Sequence, residues 1–139
     1  MKTNKLLAIL CLSLFLFNFT CSDDDNDDDQ TTANEENIIG TWQFQSSTTN
    51  GVIDTDNDPC LSQLTITFSA TQVTTNDVYG ENCEMMETYV NGYSINGNIL
   101  TVIDEGEAYD SEILTLNDTS FTIEDFDEGD VYTETYIRL

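Results

Sequence analysis

No histidine occurs anywhere in the 139 residues, and lysine and arginine together number three. Two of those bases, Lys2 and Lys5, precede an apolar leader, so Arg138 is the one base beyond residue 20. Without imidazole there is no Ser-His or Cys-His nucleophile pair. Without a lysine past the leader there is no Schiff-base chemistry, and the few cysteines make no ordinary nitrogen-and-sulfur zinc site. Nucleic acids and anionic headgroups are disfavoured as partners, because phosphate contacts are made by clusters of Lys and Arg. Proline is confined to Pro59, and no stretch carries a helical apolar period. What the chain has in excess is carboxylate: all 27 acidic side chains lie beyond residue 21 against one arginine, a formal charge of −26.

The single long apolar run is Leu6 to Phe17, broken only by Cys11 and Ser13. A spanning helix needs about 20 apolar residues, so a run of this length behind two lysines reads as a targeting leader, residues 1–20. At its end Asn18-Phe19-Thr20-Cys21 resembles the lipobox of bacterial lipoproteins. That resemblance implies cleavage before Cys21, with diacylglycerol on its sulfur, and anchorage in a membrane. The alternative is an ordinary export signal cut nearby, which would leave Cys21 a free thiol exposed to oxidation. Several acyl chains, at about 0.8 kcal/mol per buried CH₂, hold a protein on a bilayer far more firmly than one.

Residues 21–37 follow as an acidic stretch whose only apolar member past the cysteine is Ala33. Such a segment cannot bury enough surface to offset its ordering entropy and is expected to be a disordered, self-repelling spacer. Ser22-Asp23-Asp24-Asp25, directly after the cysteine, resembles the tag that sends some Gram-negative lipoproteins to the outer face of the outer membrane. The periplasmic face of that membrane is the alternative.

Residues 38–139 are expected to form one domain. Short apolar and β-branched runs alternate with turn residues: Ile38 to Gln45, Leu64 to Ser69, Gln72 to Tyr79, Met85 to Ile95, Asn98 to Ile103, Tyr109 to Leu116, Ser120 to Phe126 and Val131 to Arg138. Asn96-Gly97 is read as a hairpin turn, and the Asn, Asp and Gly-rich residues before Cys60 as a loop. A meander of about eight strands leaves bare edges unless it closes, so the expected fold is all-β: a single small antiparallel up-and-down barrel.

Gly40-Thr41-Trp42, the stretch Gly92 to Thr101, and the closing Tyr136-Ile137-Arg138-Leu139 resemble the lipocalin-like domains of bacterial surface lipoproteins. The resemblance implies that Trp42 plugs the closed end of the barrel beneath Arg138. It also agrees with a structural disulfide between Cys60 and Cys83, the pairing expected of two cysteines in an exported domain. A small apolar or amphipathic ligand in the barrel mouth is the function implied. The lining expected from alternation is Phe44, Phe68, Tyr89, Tyr93, Leu114 and Phe121.

Asp54, Asp56 and Asp58 start like a calcium loop, but Pro59 stands where the EF-hand turn needs glycine, so a weak surface site competes with a plain solvated loop. No other metal and no cofactor is indicated. Two further readings stay open. One is a surface interaction protein whose barrel is filled by its own side chains. The other is a hydrolase, which would need two carboxylates about 5 to 9.5 Å apart in one cleft. A non-enzymatic role is expected.

Overall fold

The computed structural model describes residues 34–55 and 58–139. The leader, Cys21, the acidic tag Ser22 to Asp25, and Asp56 of the Asp-rich loop lie outside the described residues. Strand β1 (Gly40–Thr49) organises the rest, because both of its edges are used. One edge pairs antiparallel with β3 (Thr65–Phe68) along Gly40 to Gln43 and with the two-residue β2 (Val52–Ile53) at its far end. The other edge pairs with the last strand, from Trp42↔Arg138 to Thr49↔Tyr132. Between them run β4 (Gln72–Tyr79), β5 (Met85–Asn96), β6 (Ile99–Asp104), β7 (Glu107–Leu116), β8 (Ser120–Asp127) and β9 (Asp130–Arg138), each beside its predecessor. β1 and β3 to β9 thus close an eight-strand antiparallel barrel, which leaves no outermost strand.

Alternation decides which side chains fill it. Trp42 and Phe44 from β1, Phe68, Val73, Ile95, Leu100, Ile113, Phe121, Ile123 and Tyr136 are all buried, one or two per strand. Phe121 is the hub: its ring lies 5.6 Å from Trp42, 5.8 Å from Phe68 and 5.7 Å from Tyr136. Ring pairs at such spacings contribute about 0.5–1.5 kcal/mol each beyond their burial.

The short connections carry the left-handed residues that right-twisted hairpins require. Glu105-Gly106 and Glu128-Gly129 both have positive φ at the two central positions, which is the type I′ geometry. Three details depart from the expectations above. Asn50-Gly51 makes a third turn of this kind and folds β2 back onto β1, inside the stretch read as loop. The turn between β5 and β6 is Gly97-Asn98, not Asn96-Gly97: Asn96 pairs with Ile99, and only Gly97 has positive φ, as type II′ demands. Finally, residues 34–38 are helical, so ordered structure begins ahead of the boundary drawn at residue 38 and takes in the last four residues read as spacer. Asn34 Nδ2 donates to Gly97 O at 2.8 Å, and Ile38 is completely buried, which ties this turn across the end of the barrel.

Candidate functional site

The two ends of the barrel differ, and the difference follows from the residues at inward positions. At the end where β1 begins, Trp42 is wholly buried and its Nε1 donates to Ile38 O at 2.8 Å. The guanidinium of Arg138 lies 4.2 Å from the centre of the indole ring, donates through Nη1 to Ile39 O at 2.7 Å, and donates through Nη2 to Asn37 O. Arg138 thus serves the ring and the main chain of the helical turn. Gly40 is required here on two counts: its φ is +139°, and a Cβ would stand 2.5 Å from Arg138 Nη1. This end is sealed by packed side chains.

At the other end inward positions change character. Beyond Phe121 and Ile123, the same face of β8 continues with Asp125 and Asp127; from Tyr136 toward the open end, the same face of β9 carries Glu134, Tyr132 and Asp130. The wall also opens. The β7–β8 ladder stops at Glu112↔Glu124, so Glu107 to Ser111 and Asp125 to Asp127 face each other without pairing. Each lip keeps its other partner, since β6 follows β7 up to Asp104↔Glu107 and β9 follows β8 up to Asp127↔Asp130. The result is a fork in the sheet holding a cleft of about 600 Å³, lined by Val102, Ala108, Tyr109, Ser111, Phe126 and the carboxylates of Asp110, Asp125 and Asp127. That volume is within the range of roughly 300–1,000 Å³ typical of small-molecule sites. A second cleft, about 360 Å³, lies beside the sealed end between the helical turn and β5, where Glu35, Ile39 and Tyr93 meet.

The six residues expected to line a ligand are dispersed. Phe44, Phe68 and Phe121 are in the buried core, each against another aromatic ring. Tyr93 abuts Phe68 edge-on at 5.1 Å, and its hydroxyl donates to Ser69 O at 2.6 Å, so it belongs to the wall of the sealed half. Tyr89 stands high on β5 and is 45% exposed. Leu114 is a correction: a bulge between Ile113 and Thr115 gives the inward position to Ile113 and leaves Leu114 exposed as the extra residue. The residues of the fork were missed because an interrupted ladder has no local sequence signature. A signal was nevertheless present in Phe121-Thr122-Ile123-Glu124-Asp125-Phe126-Asp127, where the inward register passes from apolar to acidic.

Cys60 and Cys83 form the expected disulfide, with Cα atoms 5.3 Å apart. In the Asp-rich loop, Asp54 accepts hydrogen bonds from Ser47 Oγ (2.8 Å) and Thr49 Oγ1 (3.0 Å), which fasten the β1–β2 hairpin. Asp58 Oδ1 accepts from the Cys60 amide at 2.9 Å. Among the described residues no group of three His, Cys, Asp or Glu side chains is arranged to hold a metal ion.

The electrostatics of the open half have one buried focus. Burial holds the Glu134 carboxyl above the usual carboxylate range, the charge of Asp125 adds to that, and the Tyr136 hydroxyl, donating to Oε2 at 2.5 Å, partly offsets it. Burial, with Glu134 next to it, raises the Tyr136 phenol strongly. The folded protein therefore takes up a proton at Glu134 more readily than the unfolded chain does. The stability this group contributes is present below the ordinary glutamate value of about 4.3 and is lost as pH rises through the raised folded value. Glu134→Gln keeps the acceptor and removes the charge. Thermal unfolding from about pH 4 to pH 8 should show the variant gaining on the parent as pH rises through the raised folded value. A constant difference across that range would mean that the carboxyl titrates alike in both states.

The fold is shared with known proteins. The family model for the lipocalin-like domain matches residues 38–123. The fold is similar to that of a lipocalin-like protein from Bacteroides uniformis ATCC 8492, with a TM-score of 0.57 at 12% identity over 74% of this chain and 99% of that one. It is also similar to a protein from Bacteroides eggerthii DSM 20697, with a TM-score of 0.55 at 9% identity over 73% and 99% of the two chains. No curated protein matches the sequence. With a barrel closed by β1 against β9, Trp42 stacked under Arg138, and a family match across most of the ordered region, the chain belongs to the lipocalin-like domain family.

Proposed function

We propose that this protein is a lipid-anchored, non-catalytic binding module that takes a small apolar or amphipathic molecule at the open end of its barrel. The observation that carries this reading is the cleft in the β7–β8 fork, where Val102, Ala108, Tyr109 and Phe126 offer apolar surface beside the lumen. The family fold, a small-ligand type of barrel that is typically non-catalytic, supports it. The alternative is a surface interaction protein with no internal ligand; the filled lower half, with Phe44, Phe68 and Phe121 buried, favours that reading for the sealed end only.

The anchor in this proposal is a diacylglyceryl group on Cys21, with Ser22, Asp23, Asp24 and Asp25 directing the protein to the outer face of the outer membrane. The acidic residues up to the helical turn act as the spacer that holds the domain off the bilayer. Native mass spectrometry of protein purified from its own host tests both parts. The expected spectrum has an N-terminal peptide carrying acyl mass at Cys21 and, after the anchor lipid is accounted for, one additional small molecule per chain. An unmodified Cys21 thiol would refute the anchor, and a ligand-free spectrum under gentle ionisation would refute the binding role.

A further inference from the structure

The lining of the fork is matched to a particular charge. Asp125 and Asp127 line the cleft from the inward face of β8, and Asp110 lines it from β7, where its Oδ1 accepts from Thr101 Oγ1 at 2.6 Å. Glu134 and Tyr136 lie next to Asp125, close enough for its charge to act on both. No described residue supplies a countercharge at the cleft: Arg138, the sole base among them, is at the sealed end, engaged with Trp42 and with the carbonyls of Ile39 and Asn37. Meanwhile Phe126 and Tyr109 leave 70% and 55% of their surface exposed at the two lips of the cleft, one on each side of the opening.

A neutral apolar ligand seated here would strip water from carboxylates and return nothing to them, which is costly. An anion would be repelled outright. A metal ion is not matched, since the carboxylates are not grouped as ligands. An organic cation satisfies both halves of the lining: aromatic rings flanked by negative charge are the surroundings that recognise ammonium groups. We propose that the β7–β8 fork binds an amphiphilic amine or quaternary ammonium compound. Its positive group sits at Asp125 and Asp127 against the rings of Tyr109 and Phe126, and its apolar body extends over the same rings, Val102 and Ala108. This assignment presupposes a small-molecule ligand at the mouth, as proposed above, and specifies its charge. The opening is fixed by strand register and not by fraying, because both lips stay hydrogen-bonded on their far sides.

The test is calorimetric titration of residues 21–139, with Cys21→Ser so that no acyl chain is attached, using three probes that share one apolar body: 4-phenylbutyltrimethylammonium, 4-phenylbutanol and 4-phenylbutyrate. The expected result is saturable binding of the cation at one per chain, at least tenfold tighter than the alcohol, with no binding of the acid. Asp125→Asn combined with Asp127→Asn should weaken the cation about tenfold or more and leave the alcohol unchanged. Phe126→Ala should weaken both the cation and the alcohol. Asp118→Asn, at the turn beside the sealed end, should change nothing and so controls for attraction to overall charge. Equal affinity for alcohol and cation would overturn the charge assignment and leave the ligand reading standing. Cation binding at many sites per chain, or binding insensitive to Asp125 and Asp127, would overturn it as nonspecific attraction. Failure of all three probes would sink both.

Discussion

Trp42→Ala is expected to cost the domain about 3–5 kcal/mol, the range for truncating a buried aromatic side chain. The indole is completely buried, it is packed on Phe121, its N–H is bonded to Ile38 O, and it carries the Arg138 guanidinium on its face. Truncation therefore opens a cavity and also frees the helical turn and the end of β9 from their common support. For a domain of this size total stability is about 5–15 kcal/mol, so the variant sits near the limit of folding. Trp42→Phe covers that case: it keeps most of the volume but leaves the Ile38 carbonyl unpaired, and should cost about 1–3 kcal/mol. Urea denaturation measures both. A loss below about 1 kcal/mol for the alanine variant would mean that the sealed end does not depend on its plug.

Removing the disulfide is the second large effect. Cys60 precedes β3 and Cys83 follows β4, with a sequence separation of 23. Closing a loop of that length stabilises a fold by roughly 3 kcal/mol in the chain-entropy picture. The bond also holds the 3-10 turn of Leu61–Gln63, whose Leu64 carbonyl neighbour accepts from the Phe44 amide at 3.0 Å, against the β4–β5 connection. Cys60→Ala with Cys83→Ala should lower Tm by more than about 10 °C, since 1 kcal/mol corresponds to about 4–8 °C in a domain of about 100 residues. A reduced or doubly substituted protein that melts with the parent would show that the barrel already restrains this loop unaided.

How much of this was legible depends on whether the deciding physics was local. Trp42 and Phe44 alternate within one strand, and Leu64, Ile66 and Phe68 do so in another, so the inward faces of β1 and β3 could be read directly. Glu105-Gly106 and Glu128-Gly129 each carry the glycine that a turn of left-handed residues favours. Asn50-Gly51 announced one too, but the returning strand has only two residues, too few to show alternation. Leu114 was misplaced because a bulge shifts the face of every residue beyond it, and nothing in Glu112-Ile113-Leu114-Thr115 says which residue is extra. The helical turn at residues 34–38 was hidden by its composition: four polar residues and Ile38 gain helicity only by capping a barrel end that other strands build. The fork was the least legible of all, since it consists of hydrogen bonds that two distant segments do not make.

The claim on which the account rests is a barrel closed at β1–β9 and parted at the top of β7–β8. Cross-strand backbone NOEs measure both at once in solution. Contacts are predicted between Gln43 and Ile137 and between Ser47 and Glu134, which are register partners across the closing ladder, with none between residues 107–111 and residues 125–127. Loss of the first set would contradict closure, and appearance of the second would show a continuous wall with no fork in which to hold a ligand.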